Sequence, residues 1–186
     1  MGNIRKDIIA KRQKLDLVYQ RSLSLIIKSK IVSLPIFKQS KHIAIYISVR
    51  GEIDTLPITE EIWTHNKLCY LPVVAENNTL RFILYKKNDK LIPNQYKIPE
   101  PIPSTQKIIA PENLDLVIVP VVGFDKDCNR LGSGAGFYDR TFAFRKTSTK
   151  PLLIGIAYEL QKVPLKPNCW DIPLDMIITE KNTYIP

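Results

Sequence analysis

Apolar positions along this chain fall first at helical spacing and then in short, nearly continuous runs. Residues 3 to 18 read as one amphipathic helix: Ile4, Ile8, Leu15 and Val18 share a face, and Arg5, Lys6, Lys11, Arg12 and Lys14 supply the rest. A second helix covers Tyr19 to Val32, with Leu23, Ile26, Ile27 and Ile31 as its buried stripe, and Pro35 stops it. Lys41 to Ser48 is apolar almost throughout, the pattern of a strand covered on both faces. Ile58 to Asn66 reads as a short helix and Lys67 to Val74 as a strand; Asn77-Asn78 turns the chain into Leu80 to Tyr85, which pairs back locally. Pro93 to Pro111 holds five of the 14 prolines with little periodicity, an irregular crossing segment between strands. Leu114–Val119, Leu152–Tyr158 and Leu174–Ile178 supply the later strands. Strands alternating with helices predict an α/β three-layer α/β/α sandwich, and 186 residues predict a single domain over 1–186.

Composition narrows the function classes. Hydrophobic content of 45% and charged content of 24% are ordinary for a soluble globular protein. No apolar run approaches the eighteen or so residues of a membrane span, and the basic N-terminus is followed by no apolar leader segment. Cys69, Cys128 and Cys169 are odd in number without C-x-x-C spacing, and His42 and His65 are too few and too far apart to read as a metal pair. A cytoplasmic protein is expected. The net charge of +9 fits nucleic acid, small polyanionic substrates or mere surface drift, and no RNA-binding motif or basic-aromatic block decides among them.

The most informative stretch is Arg130-Leu-Gly-Ser-Gly-Ala-Gly-Phe-Tyr-Asp-Arg140. Gly132, Gly134 and Gly136 are three of only 7 glycines, packed into five residues. Glycine loses more backbone entropy on folding than any other residue, so such a cluster implies left-handed turns or a close approach of backbone to another group. Leu114 to Pro120 reads as a strand upstream, and Phe137 to Arg145 as a helix downstream. Strand, glycine loop and helix aim free N–H groups at an anion. The spacing is neither a Walker A loop nor the dinucleotide fingerprint. A flexible surface turn is the bland alternative; Arg130 and Arg140 at the ends favour a phosphate cradle. Arg130 could instead pair with Asp125 or Asp127, Glu52 could be an exposed loop acid, Asp171 a turn cap before Pro173, and Trp170 either a stacking surface or core.

Taken with Val119-Pro120, Phe124-Asp125, Ala44-Ile-Tyr46, Glu52-Ile-Asp-Thr55, Leu71-Pro72-Val73, Glu100-Pro101, Ile154-Gly-Ile-Ala-Tyr158 and Asp171-Ile-Pro-Leu-Asp175, this run resembles the 5-formyltetrahydrofolate cyclo-ligase family over nearly the whole chain. The resemblance implies a fold like the ribose-phosphate isomerase and CoA-transferase group (NagB/RpiA-like). It implies an ATP-dependent ring closure of 5-formyltetrahydrofolate to 5,10-methenyltetrahydrofolate through a phosphorylated formyl group, releasing ADP and phosphate. For ATP it marks Arg5, Arg130, Leu131, Gly132, Ser133, Gly134, Ala135, Gly136, Phe137 and Tyr138. For the folate it marks Ile47, Glu52, Gly134 and Tyr138; Arg130 and Tyr138 are catalytic, and Asp139 and Asp171 hold Mg2+. The expected partner is a small-molecule substrate, 5-formyltetrahydrofolate with or without a polyglutamate tail, with no nucleic acid and no membrane, and a monomer is expected.

The chain also departs from the family pattern. Met1 stands where a lysine is common, Lys97 where glycine is common, and Phe137 where tyrosine is. Cys128 replaces a turn glycine, and because a left-handed backbone costs a non-glycine residue roughly 1–2 kcal/mol, that turn is expected to have changed shape. Two alternatives stand beside the cyclo-ligase: a non-catalytic homologue binding nucleotide or RNA, and another nucleotide-dependent transferase.

Overall fold

The computed structural model describes residues 2–102 and 108–186, so the departure at Met1 lies outside the described residues. The expected helix over 3–18 is two pieces: α1 (Gly2–Gln13) ends, and α2 (Leu17–Ser33) begins after a break. Asp16 makes the break. Its carboxylate accepts the Val18 amide at 2.9 Å and the Tyr19 amide at 3.1 Å, satisfying two of the free donors that open a new helix. Val18 is therefore 78% exposed and shares no face with Ile8, while Ile4 is also exposed. In α2 the buried stripe is Leu23, Ile27 and Ile31, the i, i+4 row; Ile26, expected among them, faces outward. Pro35 follows the end of α2 and also opens α3 (Pro35–Gln39), where its missing N–H is no loss.

β1 (His42–Ala44), α4 (Leu56–Thr64), β2 (Leu68–Val74) and β3 (Leu80–Leu84) follow. The proline-rich stretch is less irregular than expected. β4 (Leu91–Pro93) and β5 (Pro99–Pro101) form a hairpin, and β6 (Ile108–Ile109) joins the main sheet; residues 103–107 lie outside the described residues. Then come β7 (Leu116–Pro120), a small hairpin of β8 (Gly123–Phe124) and β9 (Arg130–Leu131), α5 (Phe137–Thr141), β10 (Leu152–Ile156), β11 (Met176–Ile178) and β12 (Thr183–Tyr184).

Eight strands form one sheet in the order β12-β11-β10-β7-β1-β2-β3-β6. The central neighbours from β11 to β2 pair in parallel, and β12, β3 and β6 pair antiparallel at the edges. Parallel strands are hydrophobic on both faces and need two covering layers. One layer packs Leu23, Ile27, Ile31, Phe37, Ile58 and Ile62 from α2, α3 and α4. The other includes Phe142, Leu174 and Ile172, with Phe137 and Tyr138 of α5 against them. The outcome is the expected α/β sandwich with a large central sheet.

The strand ends position the site. β1 pairs only to Ala44, although the Ile45 amide still reaches the Tyr70 carbonyl at 2.9 Å; Tyr46 to Glu52 then leave the sheet at its C-terminal edge. Pro120 to Val122 leave β7 at the same edge, which in open α/β sheets is where ligands bind.

Candidate active site

A cavity of about 820 Å³ opens at that edge. Its wall holds Arg5, Ile47, Glu52, the whole glycine loop, Tyr138, Asp139 and Asp171, so residues far apart in sequence meet in one place. Glu100 and Trp170 line it too. Basic side chains outnumber acidic ones along the wall, which favours an anionic ligand.

The glycine loop is fed by β9, an arm of the small hairpin, rather than directly by β7 as expected. Gly134 (φ 113°) and Gly136 (φ 69°) hold left-handed backbone that β-carbon-bearing residues avoid. Gly132 matters for a different reason: a Cβ there would lie 2.9 Å from Arg130 Nη1, so the arginine passes close beneath the loop and a side chain at 132 would displace it. Gly136 then precedes α5, which has only five residues before the chain tightens into a 3₁₀ turn at Ala143–Lys146, so the helix expected over 137–145 is shorter.

Arg130 is 6% exposed at its side chain and pairs with Asp139 at 2.7 Å, not with Asp125 or Asp127. Asp125 is engaged by the Asp127 and Asn129 amides and the Asn129 side chain. The Arg130 guanidinium also sits 5.5 Å from the Tyr138 ring centroid, and its Nε is buried without a hydrogen-bond partner among the described residues. A strong donor group thus lies under the loop with capacity left for an anion. Arg140 corrects the expectation of a second guanidinium in the cradle. It turns back onto the Ala135 carbonyl and donates to the Asn78 carbonyl at 3.0 Å, bracing the loop's outer side. Arg5 reaches the loop from α1, its Nε 2.9 Å from the Gly132 carbonyl.

Asp139 accepts Arg130 and, at 3.2 Å, the Ile172 amide on a single oxygen, Oδ1. That amide places Asp171, the preceding residue, beside Asp139. Asp171 uses Oδ2 to accept the Asn168 amide at 2.7 Å and its side-chain amide at 3.2 Å, so the turn-capping reading holds for that oxygen. Asp139 Oδ2 and Asp171 Oδ1 make no hydrogen bond among the described residues. Asp175, by contrast, is fully engaged: Arg145 at 2.6 and 2.7 Å and the Leu153 amide at 2.7 Å make it a structural anchor. Glu100 accepts the Asn94 side-chain amide at 2.7 Å within the β4–β5 hairpin and the Val74 amide at 3.2 Å, which ties the hairpin to β2. Trp170 is not core; it stands 63% exposed at the rim.

Across the cavity, Glu52 is no exposed loop acid. Oε2 accepts the Val49 amide at 3.0 Å and Oε1 lies 3.6 Å from Arg12, whose side chain is 2% exposed. Burial raises the Glu52 carboxyl above its ordinary range, while the Val49 amide, Arg12 and Arg50 pull it back in part. Burial likewise pushes the Tyr138 and Tyr46 hydroxyls well up, and Glu52 adds to both shifts, so neither ionises near neutral pH. The sequence reading assigned no role to Arg12 or Tyr46. The spacing of Arg12 from Arg5, two helical turns, was the signal available.

The fold and the site together define a class: an α/β enzyme that handles an anionic ligand over a glycine loop, with carboxylates at one end and an acid-lined recess at the other. Within that class the chain belongs to the 5-formyltetrahydrofolate cyclo-ligase family, whose model matches residues 1–180. It is 36% identical over 175 residues to the 5-formyltetrahydrofolate cyclo-ligase of Haemophilus influenzae, covering 92% of each chain. It is 32% identical over 178 residues to that of Escherichia coli, covering 94% of this chain and 97% of the other. Among solved structures, it resembles the 5,10-methenyltetrahydrofolate synthetase of Aquifex aeolicus with a TM-score of 0.85 at 36% identity, over 99% of this chain and 91% of that one. The corresponding protein of Mycoplasma pneumoniae gives 0.77 at 28% identity, over 96% and 98%.

Proposed function

We propose that this protein converts 5-formyltetrahydrofolate and ATP into 5,10-methenyltetrahydrofolate, ADP and phosphate. The observation that carries the reading is the shared cavity: the glycine loop with Arg130 beneath it faces the buried Glu52 recess, so an anhydride and a folate can meet in one enclosure. An amide oxygen is a poor leaving group until it is phosphorylated. In the first step the formyl oxygen attacks the γ-phosphorus and ADP departs; in the second, N10 attacks the formyl carbon and the former formyl oxygen leaves with phosphate. The protein contributes position and charge neutralisation rather than covalent chemistry.

We assign the roles as the family resemblance marks them, with the placement around one cavity in support. Arg130 stabilises the transferring phosphoryl group, and Arg5 with the backbone of Leu131, Gly132, Ser133, Gly134, Ala135, Gly136 and Phe137 holds the triphosphate. Tyr138, protonated and stacked on Phe142 at 6.2 Å, offers a hydroxyl to the reacting group between the two ligands. Glu52 accepts the pterin's N–H edge, with Ile47 beside it. Asp139 Oδ2 and Asp171 Oδ1 suit a hard cation such as Mg2+, which takes one or two carboxylates and completes its shell with phosphate oxygens and water. When bound, the ion neutralises phosphate charge.

We read residues 1–186 as one cyclo-ligase domain, because one sheet spans His42 to Tyr184 and the cavity draws on residues from Arg5 to Asp171. No helix among the described residues is long and apolar enough to cross a membrane. With Cys69, Cys128 and Cys169 all free, we assign the protein to the cytoplasm, and since one chain furnishes every named group, we take the monomer as the active unit.

The isotope test is direct. Substrate labelled with ¹⁸O in the formyl group must deliver that label to the released phosphate. Label recovered in water, with unlabelled phosphate, contradicts phosphorylation of the formyl oxygen.

A further inference from the structure

Helix α1 meets the cavity wall at two points. Arg5 Nε donates to the Gly132 carbonyl at 2.9 Å on the nucleotide side. Arg12 donates from Nε and Nη2 to the Arg50 carbonyl at 3.3 and 3.1 Å and from Nη1 to the Val121 carbonyl at 3.5 Å on the folate side. Seven residues are two helical turns, about 10 Å, so both arginines leave the same face. Ile8, the buried residue between them, seats that face: its Cδ1 would lie 3.1 Å from a Cβ at Gly123.

The Glu52 turn closes on itself, the Glu52 amide donating to the Val49 carbonyl at 3.1 Å and the Val49 amide to Glu52 Oε2 at 3.0 Å, and the Tyr158 hydroxyl donates to the Glu52 carbonyl at 3.4 Å. Arg50 (φ 52°) and Gly51 (φ 73°) are successive left-handed residues, an arrangement outside any strand or helix. Val49, Arg50 and Glu52 line the main cavity on one side and a second cavity of about 780 Å³ on the other, so the turn is a thin partition. The turn also rests on the end of α1: a Cβ on Gly51 would lie 3.4 Å from the Arg12 carbonyl and from Gln13 Cα. A guanidinium 2% exposed whose hydrogen bonds go to backbone carbonyls of two separate turns is organising those turns.

We propose that Arg12 is a positioning residue that sets the Glu52 turn and, through α1 and Arg5, couples it to the glycine loop, so that nucleotide and folate bind cooperatively. A ligand that fixes the glycine loop fixes Arg5 and therefore α1; the turn seated on α1 is fixed with it. Coupling of this kind is reciprocal in binding free energy. Lysine cannot replace Arg12, because a single ammonium cannot reach the Arg50 and Val121 carbonyls as a planar fork does.

The inference rests on the proposed function and is tested by calorimetry without turnover. 5-Formyltetrahydrofolate is titrated into wild type, Arg12→Lys, Arg12→Met and Arg5→Ala, each with and without a saturating non-hydrolysable ATP analogue and Mg2+. Wild type is expected to bind the folate about fivefold or more tightly with the analogue present. Arg12→Lys should weaken the folate alone and bring the ratio towards one. Arg5→Ala, which removes the link from α1 to the Gly132 carbonyl, should also lose the ratio at an analogue concentration that a separate titration shows to saturate the variant. A merely structural Arg12 would lower thermal stability and leave the ratio unchanged. Should Arg12→Met not fold, Arg12→Lys and Arg5→Ala still decide. A wild-type ratio within twofold of one, or a ratio preserved in either Arg12→Lys or Arg5→Ala, overturns the inference alone. Wild type that binds no 5-formyltetrahydrofolate overturns the functional reading, and this inference with it.

Discussion

Replacing Arg130 with alanine separates the chemistry of the site from its stability. Breaking a buried ion pair by deleting one partner commonly costs about 3–5 kcal/mol, chiefly through the charge left behind. Here the surviving partner, Asp139, is 21% exposed and keeps the Ile172 amide, so water can rehydrate it. The loss of fold stability should therefore lie below that range, at ~1–3 kcal/mol. The catalytic loss has a separate origin. A preorganised donor aimed at charge that develops in an enclosed site contributes ~2–4 kcal/mol to the transition state. That corresponds to a fall in kcat/KM of roughly thirtyfold to a thousandfold. Arg130→Lys should land between the two, since it keeps the charge and loses the fork. Initial rates of methenyltetrahydrofolate formation, read alongside thermal melts, resolve the two effects. A folded Arg130→Ala protein retaining kcat/KM within about threefold of wild type refutes the phosphate role.

The other expected outcomes concern the remaining parts of the site. Asp139→Asn and Asp171→Asn should each raise the Mg2+ concentration for half-maximal rate, Asp139 more strongly because it directly follows the glycine loop that holds the phosphates; superimposable Mg2+ titrations would return both to structural roles. Glu52→Gln should weaken 5-formyltetrahydrofolate binding ten- to a hundredfold, roughly 1.5–3 kcal/mol for a hydrogen bond to a charged group, and leave binding of ATP alone unchanged, as calorimetry with each ligand would show. The same variant should alter the pH dependence of stability. Because the folded Glu52 carboxyl lies above its ordinary value, the native state holds more protons, and the wild type loses stability as pH rises from the ordinary carboxylate value through the raised one. Glu52→Gln removes that loss, so its melting temperature relative to wild type should climb as pH rises from 4 to 8; a constant difference counts against a raised carboxyl. Gly134→Ala should raise the KM for ATP with little effect on the melt, since φ 113° strains an exposed loop and a Cβ there would meet only Arg5 Cζ, at 3.9 Å; an unchanged KM would mean the loop's shape is immaterial.

The parallel strands and their two covering layers were legible because apolar runs without alternation occur where both faces are covered. The division between α1 and α2 was not, since the helical period continues across it and only the Asp16 cap marks the break. Most of the marked site residues came from family resemblance, and the structure gathers them around one cavity. What the sequence hid were partners. Arg130 finds Asp139 nine residues on because the glycine loop folds back over it, and Arg140 has its donors taken by the loop's own carbonyl and by Asn78. Arg12 looked like one more solvated helix residue until the carbonyls of Arg50 and Val121 appeared above it. Cys128 overturned its expectation outright. It keeps the left-handed backbone of the glycine it replaces (φ 58°), and Lys97 does the same at φ 61°. For Cys128 a penalty of roughly 1–2 kcal/mol is offset by full burial of its side chain and by Asp125, which binds the amides on either side. At Lys97 the Asn94 side chain does the equivalent work, accepting the Tyr96 and Ile98 amides.

The most direct test of the account is the coupled product balance of the purified protein. With 5-formyltetrahydrofolate, ATP and Mg2+, methenyltetrahydrofolate absorbance should grow, with one ADP and one phosphate released per folate converted. No growth should occur when ATP is left out. A folded protein that forms methenyltetrahydrofolate equally well without ATP, or that releases ADP without forming it, would contradict the cyclo-ligase reading.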